Sequence, residues 1–283
     1  MTPQQSYPKL AQAIGIKELI LKREDLHPFG SHKGRSIPKM IEEYVKQGHT
    51  NFVISSSGNA ALAAIYSIND LKDISLKVFV GKNIDEEKLQ TLVSSIKYQA
   101  SSISIKQVEN PKQQAFLEAK NNKNVINLRQ STDDLALIGY KSLVDELEKI
   151  KNLQAIFVPA SSGTTAQALA DLNAQIHIVQ TTACNPIAQE FDNNYDKSAN
   201  SIAGAIVDKV AIRKEKVIET IKKSQGFGWV VNDEEIQNAI NLVKETADID
   251  ISENSALSIA GLQKAVKNSW KWNGPVVCLI TGK

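Results

Sequence analysis

The chain has 283 residues, a formal net charge of +2 and 6% aromatic residues. That length allows a sizeable core in one large or two modest domains, and two lobes are expected. A balanced charge without a basic block leaves no electrostatic footprint for nucleic acid, so a small molecule is the expected partner.

The first residues, Met1 to Ser6, lack a basic stretch followed by an apolar one. No apolar run approaches the roughly 20 residues that span a bilayer, so a cytoplasmic protein without membrane contact is expected. Short β-rich apolar runs predict strands at residues 18–22, 52–55, 77–80, 102–108, 125–128, 155–159, 176–181, 228–231 and 276–280. Amphipathic stretches between them predict helices at residues 85–96, 135–149 and 233–247. The last opens on Asn232-Asp233-Glu234-Glu235, a composition suited to a helix N-terminus. Strands alternating with crossover helices define an α/β protein with parallel sheets. Cys184, Cys278 and the four histidines are scattered, which suggests neither a disulfide framework nor a metal site.

Open parallel sheets place ligands beyond the carboxyl ends of their strands. Lys33 stands in Leu21-Lys22-Arg23-Glu24-Asp25-Leu26-His27-Pro28-Phe29-Gly30-Ser31-His32-Lys33-Gly34-Arg35, after the first strand, where a positioned amine could condense with a carbonyl compound. A surface lysine at a helix start is the plain alternative. His27 and His32 flank it and could tune it, although histidines near a turn are more often structural. After the strand at 52–55 comes Ser55-Ser56-Ser57-Gly58-Asn59-Ala60, able to offer backbone N–H groups and hydroxyls to a carboxylate, or simply to cap a helix. After the strand at 155–159 comes Ala160-Ser161-Ser162-Gly163-Thr164-Thr165, small enough to admit a phosphate yet without the spacing of a P-loop or a dinucleotide turn. Thr281-Gly282 follows the final strand. Ser-x-x-Lys occurs twice, at Ser36 to Lys39 and Ser94 to Lys97, without companion motifs, as chance would give.

Taken together and in this order, these segments resemble the fold type II pyridoxal-phosphate enzymes, the tryptophan synthase beta superfamily, and among them the threonine synthases most closely. Linking segments agree, among them Leu137 to Ser142, Val179 to Ile187, Ser201 to Ile206 and Ser252 to Ala256. The resemblance implies pyridoxal 5'-phosphate as cofactor, Lys33 as its aldimine lysine with His32 beside it, and Asn59 at the pyridine 3-hydroxyl. Ser55, Ser56, Ser57, Gly58, Asn59 and Ala60 would hold the substrate carboxylate. Ser161, Ser162, Gly163, Thr164 and Thr165 would form the phosphate cup, and Thr281 would meet the ring nitrogen. The implied lobes are residues 1–34 plus 146–283, which bind the cofactor, and a smaller mobile lobe of residues 35–145, which closes over the substrate.

The implied activity is a lyase reaction, elimination or replacement at an amino-acid side chain, as in conversion of O-phosphohomoserine to threonine and phosphate, by a homodimer. One departure concerns the leaving group. Where the threonine synthases carry a phosphate-binding arginine, this chain has Ala136, which removes a bidentate clamp. Arg129 or Lys141 would have to compensate. The alternatives are a serine/threonine dehydratase and a non-catalytic cofactor-binding or interaction protein. The expected phosphate cup is poor in glycine, and with so few residues after Thr281 no regulatory domain is expected.

Overall fold

The structure is a computed structural model that describes residues 1–97 and 102–282. In chain order its strands are β1 (Gln4–Ser6), β2 (Leu19–Arg23), β3 (Asn51–Ser55), β4 (Ser75–Gly81), β5 (Ile103–Val108), β6 (Val125–Asn127), β7 (Ala155–Pro159), β8 (Gln175–Thr181), β9 (Gly228–Val231) and β10 (Val276–Ile280). Its helices are α1 (Pro8–Ile14), α2 (Lys33–Lys46), α3 (Asn59–Ile68), α4 (Glu86–Ser94), α5 (Pro111–Asn121), α6 (Leu135–Gly139), α7 (Lys141–Leu147), α8 (Thr164–Ala168), α9 (Lys214–Lys223), α10 (Asp233–Ala247) and α11 (Glu253–Lys267). They divide into two compact units, one of Met1–His27 with Tyr140–Lys283 and one of Pro28–Gly139.

The larger unit holds a six-stranded sheet in the order β1-β2-β10-β7-β8-β9, parallel throughout apart from β1, which pairs antiparallel with β2. Side chains alternate between two cores. Leu19, Leu21, Phe157, Cys278 and Ile280 face one that includes residues of α1, α10 and α11, and Ile20, Ile156, Val158, Val277 and Leu279 face the other, with residues of α7, α8 and α9. Burial on both faces explains why β7 and β10 read as unbroken apolar runs, and their ends coincide with the expected ones. Helix α10 starts with a capping box: Asn232 Oδ1 accepts from the Glu235 amide at 2.9 Å, and Glu235 Oε2 accepts from the Asn232 amide at 2.8 Å.

Polar groups inside this unit are paired. Fully buried Lys22 of β2 forms an ion pair with Glu146 of α7 and donates to the Thr2 carbonyl at 2.9 Å and to Gln4 Oε1 at 3.2 Å. On the other side of the sheet His177 stacks on Phe157 with ring centroids 4.5 Å apart and accepts from Trp229 Nε1 at 3.2 Å. Trp270 and Trp272 meet its ring edge-on, and burial pushes its pKa down to about 3.

The smaller unit is a four-stranded parallel sheet, β5-β4-β3-β6. Phe52, Ile54, Leu76, Val78 and Val80 point to a core that includes residues of α2, α3 and α6, while Val53 and Phe79 meet Ala115 of α5 opposite.

Two expectations are revised. The helix expected over 135–149 is two helices broken at Tyr140. A Cβ on Gly139 would lie 2.4 Å from the Arg35 carbonyl oxygen and 2.5 Å from Ser36 Cα, so α6 presses against the start of α2, and buried Tyr140 then joins the core of the larger unit. The units divide after His27 and Gly139, whereas the lobes were expected to divide after residues 34 and 145. Since α2 begins at Lys33 and packs on α3 and α6, the lysine belongs with the smaller unit. Among the described residues no helix is long and apolar enough to cross a membrane, and no group of three or more His, Cys, Asp or Glu side chains could hold a metal.

Candidate active site

In the smaller unit, a helix that leads into a parallel strand runs back along it, so the start of α2 lies at the same sheet end as the residues following β3. That brings Lys33 and the Ser55–Ala60 segment to one edge. Turn bonds hold the lysine segment: the Gly34 amide donates to the Ser31 carbonyl at 3.0 Å, and the Arg35 amide to that of His32 at 3.1 Å. Lys33 is half-buried as a residue, yet burial of its amine lowers the pKa to about 8. Such an amine supplies far more of the neutral, nucleophilic form near pH 8 than an ordinary lysine. His32 is half-buried beside it.

Asn59 is the first residue of α3, and the Gly58 amide donates to Ser56 Oγ at 3.3 Å. Ser55, Ser56, Asn59 and Ala60 are half-buried, whereas Ser57 and Gly58 are exposed. The position of the missing arginine, Ala136, is fully buried in α6, where its carbonyl accepts from Ser36 Oγ at 2.8 Å. A guanidinium would not fit there without repacking. Neither proposed substitute replaces it simply: Arg129 Nε donates to Ser131 Oγ at 3.0 Å, and Lys141 is an exposed residue paired with Asp145 at 3.0 Å.

In the larger unit, the turn after β7 and the end of β10 lie at the carboxyl edge of neighbouring strands. Gly163 has φ +79°, and a Cβ there would stand 2.7 Å from Val217 Cγ2 and 3.1 Å from Ile187 Cδ1. The turn therefore both adopts a left-handed conformation and approaches its neighbours too closely for a side chain. Ser162 Oγ and Thr164 Oγ1 are 2.9 Å apart. Ser161 Oγ accepts from the Val207 and Asp208 amides, each at 3.1 Å, so its oxygen already anchors the loop at 207–208. Thr165 is buried in the first turn of α8. Thr281 is buried, 3.3 Å from Ser255 Oγ.

Several residues outside the expected set shape these segments. Gln180 Nε2 donates to the Ala160 and Ser161 carbonyls at 3.0 and 3.3 Å, while its Oε1 accepts from the Ile187 and Ala188 amides at 2.9 and 2.8 Å, fixing the turn after β7 against β8. A glutamine inside an apolar strand run was its sequence cue. Ser252 and Ser255 donate to the Gly282 carbonyl at 2.7 and 2.8 Å and so fasten the chain next to Thr281. Arg213, almost fully buried, donates to Gln167 Oε1 of α8 at 3.0 Å. Ser31 Oγ is buried without a hydrogen-bond partner.

The family described as pyridoxal-phosphate dependent enzyme matches residues 1–282. Over 308 aligned positions the chain is 27% identical to the threonine synthase of Methanocaldococcus jannaschii, an alignment covering 99% of this chain and 74% of that protein. An L-serine dehydratase/L-threonine deaminase of Homo sapiens is 28% identical over 152 positions, 52% of this chain and 44% of that one. The solved structure of maize serine racemase superposes with a TM-score of 0.81 at 17% identity, over 99% of this chain and 87% of that one, a likeness of fold.

Proposed function

Because the chain belongs to the fold type II pyridoxal-phosphate dependent enzymes, with pyridoxal 5'-phosphate as its cofactor, we propose that it is a lyase of the threonine synthase type that converts O-phosphohomoserine to threonine and phosphate. The buried amine of Lys33, its pKa lowered to about 8 at the sheet edge that also carries the Asn59 segment, is the observation that carries this reading. The residues present fit the cofactor. A nucleophilic lysine can bind its aldehyde, and the small polar residues of the Ser161–Thr165 turn offer hydroxyl and backbone N–H donors to a phosphate. The buried Ser31 hydroxyl is without a protein partner.

When bound, the cofactor supplies an electron sink for the bonds around the α-carbon of an amino acid. Lys33 would anchor it and, with its amine free, would take the α-proton as general base and return a proton as general acid. Asn59 would orient the ring through its hydroxyl, with Ser55–Ala60 directed to the substrate carboxylate. The Ser161–Thr165 turn would hold the phosphate. Thr281 would offer the ring nitrogen a neutral hydroxyl, a weaker partner for positive charge there than a carboxylate, which would favour elimination or replacement at the side chain over transamination.

Ala136 favours a second reading, a serine/threonine dehydratase that releases a 2-oxo acid and ammonia, because no guanidinium stands where the substrate phosphate would be clamped. The two separate in one experiment. Purified protein with pyridoxal 5'-phosphate is examined by visible absorption before and after addition of O-phosphohomoserine, L-threonine or L-serine, with phosphate and 2-oxo acid assayed in parallel. A Lys33-dependent band, shifted by O-phosphohomoserine with phosphate release, is expected. Oxo-acid formation from threonine or serine instead selects the dehydratase, and absence of any band that Lys33→Ala abolishes overturns both.

A further inference from the structure

Among the described residues, one buried side-chain oxygen or nitrogen lacks a hydrogen-bond partner, and it is Ser31 Oγ. Ser31 is fully buried, two residues before Lys33. An unsatisfied buried hydroxyl is destabilising, so a chain that keeps one there carries a cost alanine would avoid. The backbone around it is satisfied, since the Ser31 carbonyl accepts from the Gly34 amide at 3.0 Å; only the hydroxyl is left over.

The surroundings of α2 limit what that hydroxyl can serve. Of the helices packed on α2 in this unit, α6 reads Leu-Ala-Leu-Ile-Gly with no titratable group, and α3 contributes only Tyr66, which lies at the surface 3.2 Å from Ser95 Oγ. On the lysine's own segment the charged or titratable neighbours are His32 and Arg35, both with interactions of their own. Lys33 has burial as the cause of its lowered pKa, with no charged partner contributing. Ser31 and Lys33 are thus two polar groups on one turn, and the hydrogen-bonding capacity of the Ser31 hydroxyl remains for something that enters from outside the protein.

We propose that Ser31 is a binding contact for pyridoxal 5'-phosphate, its hydroxyl donating to an oxygen of the cofactor independently of the covalent link through Lys33. The direction follows from the ligand's chemistry: its phosphate and phenolate oxygens are acceptors, and a serine hydroxyl is a donor they can use. This rests on the functional reading above and adds a contact to it.

Non-covalent affinity isolates the contact. In a Lys33→Ala background, binding of pyridoxal 5'-phosphate is measured by quenching of tryptophan fluorescence, with Ser31→Ala or Ser31→Cys added. Both additions are expected to weaken binding about tenfold, the size of one lost hydrogen bond to an anionic oxygen. The same substitutions in the cofactor-free wild-type background are expected to leave the denaturation midpoint unchanged or raised, because they remove an unpaired hydroxyl. Unchanged affinity in both variants would overturn the proposal. So would normal binding by Ser31→Cys with weak binding by Ser31→Ala, which would assign the effect to side-chain volume. If the wild-type protein and the Lys33→Ala protein both fail to bind the cofactor, the functional reading itself fails, a result distinct from either.

Discussion

Substitution of Gly163 by alanine tests whether the turn after β7 is as tightly constrained as its geometry requires. Two costs add. At φ +79° an L-residue pays about 1–2 kcal/mol for the left-handed conformation. The new Cβ would meet Val217 Cγ2 at 2.7 Å and Ile187 Cδ1 at 3.1 Å, and since Val217 and Ile187 are both fully buried, relief requires repacking worth about 1–3 kcal/mol. The expected loss is therefore about 2–5 kcal/mol, read as a lower denaturant midpoint of the cofactor-free protein at constant slope. A second substitution separates the terms. Val217→Ala alone costs about 1–3 kcal/mol for trimmed buried methyl groups, but in Gly163→Ala it also makes room for the new methyl. The double variant should be more stable than the sum of the two losses implies, by about 1 kcal/mol or more, leaving the conformational cost in place. Strict additivity, or a Gly163→Ala protein within about 0.5 kcal/mol of wild type, would refute the argument.

Removing one partner of the buried Lys22–Glu146 pair strands the other: Glu146→Ala should cost about 3–5 kcal/mol in chemical denaturation, and Lys22→Met added to it should recover much of that loss. His177, held near pKa 3 when folded, takes up a proton in the unfolded chain near its ordinary pKa of about 6.5. Between those values the unfolded state binds more protons, so stability falls as pH is lowered through that window. His177→Phe should make the loss between pH 7 and pH 4.5 smaller, whatever its effect at neutral pH, and an unchanged loss would rule the histidine out as its source.

How much of this was legible in the sequence depended on whether a property was local. Strands β7, β9 and β10 have the expected ends because burial on both faces imposes an uninterrupted apolar run. Strand β1 was missed because Gln4-Gln5-Ser6 forms a polar edge whose pairing comes from β2, not from its own composition. The break at Tyr140 was invisible for the same reason, since the apolar periodicity runs straight through Gly139 and only the closeness of Arg35 shows why a glycine stands there. Lys33, Asn59, the Ser161–Thr165 turn and Thr281 were singled out from motif order alone. Ser31 and Gln180 belong to those motifs, but their distinguishing property, a buried polar group with or without partners, exists only once the chain has folded.

Lys22 marks the boundary between the two kinds of information. It ends the strand expected at 18–22 and borders the charged residues Arg23-Glu24-Asp25, yet it is fully buried. Once β2 is known to be a strand, alternation puts Lys22 on the side of Ile20, the face covered by α7. A buried ammonium on that face requires a carboxylate from the covering helix. Helix α7 buries Leu143, Val144, Glu146 and Leu147 and leaves Asp145 exposed, so its helical spacing selects Glu146 as the partner. The pair follows from elementary periodicities as soon as the topology joins β2 to α7. The arrangement of elements, rather than any one residue, was the missing information.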